Sequence, residues 1–404
     1  EPPKIKFTND VITGSPTTLL TPDIATKIGE IFGDKNAIVG VFDDDNSASD
    51  MIANAIISGL KSVGTTVYKI LATISPLCKS ACSYYSLSKA VFIYTQNDQI
   101  TIEFLDKDGS TIDPKTQKEI EEALTKNETI YAPPDEIPKS TIINSYKFHY
   151  YAEMIKRLND DPIQNENNII LEKTSEAVLE YIRKIAICYK INLIPTKNAS
   201  NYKCIKVNIH PSGKKLNLWD ETGCALTERQ IEAIIAKILI DEKITTTYIA
   251  SPYTSQAIKA MFEDTQMSII EVSASSGSQT KAMLKSVDKE QFFMTNDPIY
   301  FIFKLINYLE KNKIKLKSLI NVLPKTFFIE KTIKTKSDTQ SMDSLASKTN
   351  EQAELIDGGI KINTKKGYTV IMPNKENSGY KISTESTNEE YAKELTDFYT
   401  KELL

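Results

Sequence analysis

The chain has 404 residues, 41% of them hydrophobic and 25% charged, and carries a formal net charge of −4. At roughly 100 to 200 residues per domain, that length is enough for about two to four domains with ample core. The slightly acidic balance, with no basic tract, argues against general nucleic-acid binding. No apolar run approaches the roughly 18 residues of a membrane span, and the absence of a signal-peptide pattern fits a cytoplasmic location. The chain opens at Glu1 without a methionine, which leaves open that residues precede it. Cys78, Cys82, Cys188, Cys204 and Cys224 are few, odd in number and scattered, as reduced thiols of a cytosolic protein would be. Cys78 and Cys82 share a helix face and read as a buried apolar pair rather than a metal site.

The predicted elements alternate through the first two thirds. Ala37–Phe42 reads as a buried strand, and Met51, Ile52, Ala55, Ile56 and Leu60 then recur at helical spacing. Gly64 ends that helix, and Val67–Ile70 and Val91–Tyr94 are further strands, so parallel neighbours covered on both faces are expected. The turn-rich stretch from Ala132 to Ile143 marks a first boundary, and a helix from about Ser145 opens a second unit. There Ser175–Cys188 is helical, Ile191–Pro195 is a strand, Cys204–Ile209 and Lys215–Trp219 pair, and Thr227–Leu239 is helical. A third unit opens at Thr246–Ala250 and is expected to close with Leu316–Leu323 and a strand over Lys325–Ile333. Lys336–Glu351 reads as an exposed polar linker, and the remainder as strands followed by a helix from about Asn388. Boundaries are thus expected at 1–140, 141–245, 246–345 and 346–404.

Phe7-Thr8-Asn9-Asp10-Val11-Ile12-Thr13-Gly14, followed by Leu20-Thr21-Pro22-Asp23, resembles the opening of the α-D-phosphohexomutase family, F-G-T-x-G-I-R-G and then L-T-P-E. The resemblance extends over nearly the whole chain. It implies an α/β, four-domain architecture: three α/β domains with mixed sheets and a small C-terminal α+β domain. The family moves a phosphoryl group between a serine and a hexose, which requires an accepting oxygen, a cation and donors for the distal phosphate. Each of those loops is altered here. Ile93-Tyr94-Thr95-Gln96-Asn97-Asp98 falls where the family has T-A-S-H-N-P, with Thr73-Ile74-Ser75-Pro76 upstream resembling V-P-T-P. Gln96 is read at the position of the phosphorylated serine and cannot accept a phosphoryl group as serine does. Its neighbour Thr95 carries a hydroxyl, expected on the opposite strand face. The magnesium loop D-G-D-x-D-R appears as His210-Pro211-Ser212-Gly213-Lys214-Lys215. His210, Ser212 and Lys214 supply none of the anionic oxygens that the ion wants. The sugar loop G-G-E-x-S-G-H is missing between Phe293 and Met294-Thr295-Asn296-Asp297-Pro298-Ile299-Tyr300, and R-P-S-G-T-E-P becomes Met372-Pro373-Asn374-Lys375-Glu376-Asn377-Ser378. Met372 replaces the bidentate arginine, and Asn374 and Lys375 follow it. Thr13 and the run Asp43-Asp44-Asp45 stand where the first domain's arginines would be.

The glycine count agrees: there are 14, where usage of about 7% would give about twice as many, and phosphate-wrapping loops need glycine. The charges are also exchanged, with Asp43, Asp44 and Asp45 on one side and His210, Lys214 and Lys215 on the other, so an attraction between lobes is expected. The resulting expectation is a catalytically inactive homologue without a cofactor, serving as a protein-binding, scaffolding or regulatory factor. Its partner would be an unidentified protein or a second copy of itself. The alternatives are a divergent sugar-phosphate mutase or phosphosugar binder, and a structural subunit of a larger assembly.

Overall fold

The computed structural model describes residues 5–404 except 72–73, 127–128, 159–166, 173, 198–202, 287, 335–351, 357 and 375–378. The linker read at Lys336–Glu351 lies outside the described residues. The chain forms two compact units, Glu1–Leu226 with Phe292–Lys317, and Thr227–Gln291 with Ser318–Leu404. Among the described residues no helix is long and apolar enough to cross a membrane.

In the first unit, β1 (Val11–Gly14), β2 (Ile38–Asp43), β3 (Thr66–Ile70), β4 (Lys89–Gln96), β5 (Gln99–Asp106) and β6 (Thr141–Ile143) form one sheet in the order β1-β5-β4-β2-β3-β6. β2, β3, β4 and β6 run parallel, while β4–β5 and β5–β1 are antiparallel. The apolar run read over Ala37–Phe42 is β2, whose Val39, Val41 and Phe42 are fully buried. Strands covered on both faces lose the polar alternation of half-exposed ones, which is why this run has none. β6 is the last strand of this sheet, so the sheet extends past the boundary expected at 140.

Helix α1 (Pro22–Phe32) packs on α2 (Ser47–Ser62) through two glycines. A Cβ on Gly29 would strike the carbonyl of Ile56, and one on Gly59 would strike that of Thr26. Backbone touches backbone here, and only glycine permits it. A second sheet, in the order β10-β9-β7-β8, contains β7 (Asn167–Leu171), β8 (Ile191–Pro195), β9 (Lys206–Ile209) and β10 (Leu216–Trp219). β7 lies parallel to β8 and β9, while β9 and β10 form an antiparallel pair.

The second unit has a parallel pair, β11 (Thr247–Ala250) with β12 (Ser268–Glu271), and a five-stranded antiparallel sheet. That sheet runs β13-β17-β16-β15-β14, from β13 (Phe327–Lys334), β14 (Gln352–Ile356), β15 (Gly359–Thr364), β16 (Gly367–Pro373) and β17 (Gly379–Ser386). The strand expected to close the third unit is β13, and it hydrogen-bonds along its length to β17 instead. The terminal helix Glu389–Leu403 lays Leu395, Tyr399 and Leu403 against Ile360, Ile371 and Ile382.

Candidate functional site

The altered nucleophile loop is a tight hairpin. β4 and β5 pair up to Gln96↔Gln99, so only Asn97 and Asp98 form the turn. Both have left-handed backbones, φ 49° and 61°, which Asn and Asp tolerate and a two-residue type I′ turn requires. With Asn97 set on the asparagine of T-A-S-H-N-P, the serine position falls on Thr95 and the histidine position on Gln96. This corrects the assignment of Gln96 to the serine position. The two side chains have separate partners, as strand alternation dictates. The Thr95 hydroxyl shares a hydrogen bond with Ser49 Oγ at 2.7 Å, and its N–H donates to Asp44 Oδ2 at 2.8 Å.

Gln96 meets the altered metal loop. His210 Nε2 lies 2.8 Å from Gln96 Oε1, while His210 Nδ1 accepts from the Ser212 N–H at 3.2 Å and lies 2.7 Å from Ser212 Oγ. An accepting Nδ1 places the ring proton on Nε2, which donates to Gln96. Burial, and then the nearby Lys215 and Lys214, hold the imidazole below its ordinary pKa, so it is neutral at pH 7. These residues do not fit magnesium: both imidazole nitrogens are engaged, and the third carboxylate position is an ammonium. Among the described residues no group of three or more His, Cys, Asp or Glu side chains is placed to hold a metal ion.

Lys214 does not meet the acidic run. It donates to Glu103 Oε1 at 3.0 Å, and Ser75 Oγ donates to Glu103 Oε2 at 2.9 Å. Glu103, in the middle of β5, is 1% exposed. Burial alone would raise its pKa, but the charges of Lys214 and Lys79, with the hydrogen bonds from Lys214 and Ser75, bring the carboxyl down to about 2. Lys79, on helix Ser75–Tyr84, is buried and hydrogen-bonds Asn296 Oδ1 at 3.2 Å. Burial pulls its pKa down to about 8 against the opposing charge of Glu103. The backbone joins the same elements, the Ser75 N–H donating to the Ser212 carbonyl at 2.8 Å.

This geometry sets an acid response. Glu103 titrates near 4.5 when unfolded and at about 2 when folded, so the unfolded chain binds more protons between those values. The stabilisation is complete above about pH 4.5 and is lost as pH falls toward about 2, a swing of roughly 3 kcal/mol. Urea midpoints of wild type and Glu103→Gln measured from pH 6 to pH 3 are expected to converge as the medium acidifies, and parallel curves would contradict the assignment.

The acidic run is an organised turn. Asp43 is buried, lies 3.7 Å from Lys69 and accepts the Asp45 N–H through Oδ1 at 3.0 Å. Asp44 accepts the Asn46 N–H at 3.2 Å as well as that of Thr95. The exchange of sign therefore resolves into separate pairs, Lys69 with Asp43 and Lys214 with Glu103. Asp44, Asp45 and Lys215 do line one cavity of ≈ 670 Å³.

In the second unit, Met372 and Pro373 end β16, and the Asn374 N–H donates to the Gly379 carbonyl at 2.9 Å. Lys375 lies outside the described residues. A buried cluster that the sequence reading missed lies in this unit. Arg229 Nη2 donates to Tyr368 Oη at 2.9 Å, Nη1 reaches Glu232 at 2.9 Å, and Nε lies 3.5 Å from buried Glu385. Back in the first unit, Asp297, just beyond the missing sugar loop, caps helix Pro298–Lys311 by accepting the N–H groups of Ile299 and Tyr300, and also takes the Tyr150 hydroxyl at 2.5 Å.

The comparisons agree with this architecture. The family described as phosphoglucomutase/phosphomannomutase, alpha/beta/alpha domain I, matches residues 4–131. A probable phosphoglucosamine mutase of Methanococcoides burtonii is 31% identical over 125 residues, 30% of this chain and 28% of the relative. The phosphoglucosamine mutase of Halalkalibacterium halodurans is 29% identical over 136 residues, 31% of this chain and 30% of the relative. The matched stretch thus spans under a third of those relatives. In fold the likeness runs end to end: a phosphoglucomutase/phosphomannomutase family protein from Burkholderia thailandensis superposes with a TM-score of 0.79 at 12% identity, covering 98% of this chain and 97% of that one. Residues 4–131 thus match the first domain of the phosphoglucomutase/phosphomannomutase family, and the chain as a whole shares that protein's fold.

Proposed function

We propose that this chain is a non-catalytic member of the superfamily that has kept the fold to bind, whether a small molecule or another protein. The observation that carries this reading is the filling of the metal loop. Lys214 is tied to Glu103, and His210 is tied to Gln96 and Ser212. Phosphoryl transfer needs a cation held free to take up charge on the transferring group, and here the local cation already neutralises a buried carboxylate. A second reading, a divergent sugar-phosphate mutase, draws support from Thr95, whose hydroxyl occupies the serine position beside Ser49. Against it stands Asp44, hydrogen-bonded to the Thr95 backbone, whose carboxylate would repel a phosphoryl group there.

Incubation with magnesium and glucose 1,6-bisphosphate, followed by intact-mass measurement, separates the two. The expected result is no added phosphoryl group and no interconversion of glucose or glucosamine phosphates. A phosphoryl group mapped to Thr95, and lost in Thr95→Val, would establish the second reading instead.

A further inference from the structure

β8 is the last strand of the second sheet, and among the described residues it pairs only with β7. The direction of its backbone groups follows from β7. The N–H groups of Ile170 and Glu172 turn toward β9, donating to the Ile205 and Val207 carbonyls at 2.9 Å. Successive residues of a strand turn to opposite sides, so Ile169 and Leu171 face β8, and Asn192 and Ile194 face them in return. Ile191 and Leu193 are left with N–H and carbonyl groups aimed outward, and neither residue meets a partner there among the described residues. Pro195 adds a carbonyl alone, as a proline on a sheet edge can.

This unpaired row borders a groove of ≈ 500 Å³ against helix Glu176–Cys188. Ala186, Ile187, Leu193 and Ile194 line it, and Ile187 is 79% exposed. Free backbone groups beside an apolar groove are what an added strand needs, the first for main-chain hydrogen bonds and the second for its alternate side chains. We propose that β8 receives an extended acidic segment of another protein, which joins this four-stranded sheet as a further edge strand. None of these residues belongs to the altered nucleophile or metal loops, so the inference goes beyond the non-catalytic reading and does not depend on it.

Charge selects the occupant. Arg183 is the one charged residue lining the groove, and it lies 3.5 Å from Glu176 in a pair exposed on both sides, which solvent weakens. Lys190 and Lys197 flank β8, both exposed and without an ion pair among the described residues. A second copy of this chain would bring like charge to like. Antiparallel pairing of two β8 strands sets the Lys190 end of each against the Lys197 end of the other, and parallel pairing sets each lysine beside its own counterpart. Both arrangements are unfavourable, and lysines at an edge discourage them. An incoming strand with acids at its two ends instead meets an ammonium at each, with the Arg183 guanidinium beside its middle.

The experiment is fluorescence anisotropy of the full chain with two labelled nine-residue peptides. One has two glutamates at each end of a Val-Thr-Val-Thr-Val centre, and the other has lysines in their place. The glutamate peptide is expected to bind saturably, and the lysine peptide roughly ten-fold more weakly or less. In the double variant Arg183→Glu with Lys197→Glu, the glutamate peptide should lose roughly ten-fold while the lysine peptide does not weaken. Both side chains are exposed, so the melting temperature should hold. Hydrogen exchange reports the pairing itself. The glutamate peptide should slow exchange at the Ile191 and Leu193 amides and leave Asn192 and Ile194, already bonded to β7, unchanged. Equal binding of the two peptides, no saturable binding, or binding that leaves the Leu193 amide unprotected would each overturn the inference. So would protection of the same amides by self-association of the chain alone, which makes a second copy the occupant. None of these outcomes bears on the non-catalytic reading, which falls only if a sugar phosphate is turned over.

Discussion

Lys214→Met is expected to lower the unfolding free energy by roughly 3 kcal/mol, because it strands a buried carboxylate rather than merely deleting a contact. Glu103 has no water to turn to, and of its neighbours Lys79 is itself reluctantly charged and Ser75 offers only a neutral donor. The loss should shrink when Glu103→Gln is added, since the double variant no longer buries an uncompensated charge. Trp219 is the chain's only tryptophan and lies in the same compact unit as Lys214, so its fluorescence in a urea titration reports the transition. A single-variant loss under about 1 kcal/mol would place the pair among ordinary surface bridges.

Arg229→Met is expected to cost about as much in the second unit, roughly 3 kcal/mol. One guanidinium serves Tyr368, Glu232 and Glu385, and its carbon lies 4.9 Å from the Phe328 ring centroid. Burial already raises the Glu385 pKa, with the Ser255 hydroxyl and the charge of Arg229 opposing it, so removing the cation pushes it further up. Arg229→Lys should recover less than half of the loss, because an ammonium cannot reproduce a planar fork toward three acceptors. Hydrogen exchange at β16 and β17 is the local readout. Protection in those strands unchanged from wild type would show that the cluster is not holding the sheet.

The frame of the fold was legible because burial writes itself into local pattern. β2 has no polar interruption, α2 repeats its apolar residues at helical spacing, and Asn388 precedes a helix whose first turn it caps. Pairing partners leave no such trace. The strand over Lys325–Ile333 was placed with its sequence neighbours, yet Glu330 sits opposite Ser383, a choice made by tertiary hydrogen bonding. Lys214 looked like the counterpart of the acidic run, and its true partner lies 111 positions away. A signal for that partner was present: Glu103 is the one charged residue within the strand run Ile100–Leu105, and a carboxylate there needs a cation. The slip between Gln96 and Thr95 also had a remedy in the sequence, since Asn97-Asp98 is a pair suited to a two-residue turn and fixes the hairpin's register.

The seam between α1 and α2 has a consequence for how this chain can change over time. At Gly29 and Gly59 the two backbones leave room for a hydrogen atom and nothing more. Even alanine, the mildest replacement, would pry the helices apart and disturb the sheet beneath them. Among the described residues, the altered loops that keep their length lie elsewhere: Thr95 and Gln96 at the end of β4, His210–Lys215 between β9 and β10, and Asp44 and Asp45 just after β2. Replacement in those loops therefore carries little mechanical risk, whereas at the seam a single added carbon displaces a helix, so the chain's tolerance of change is set where two helices touch rather than where its loops turn.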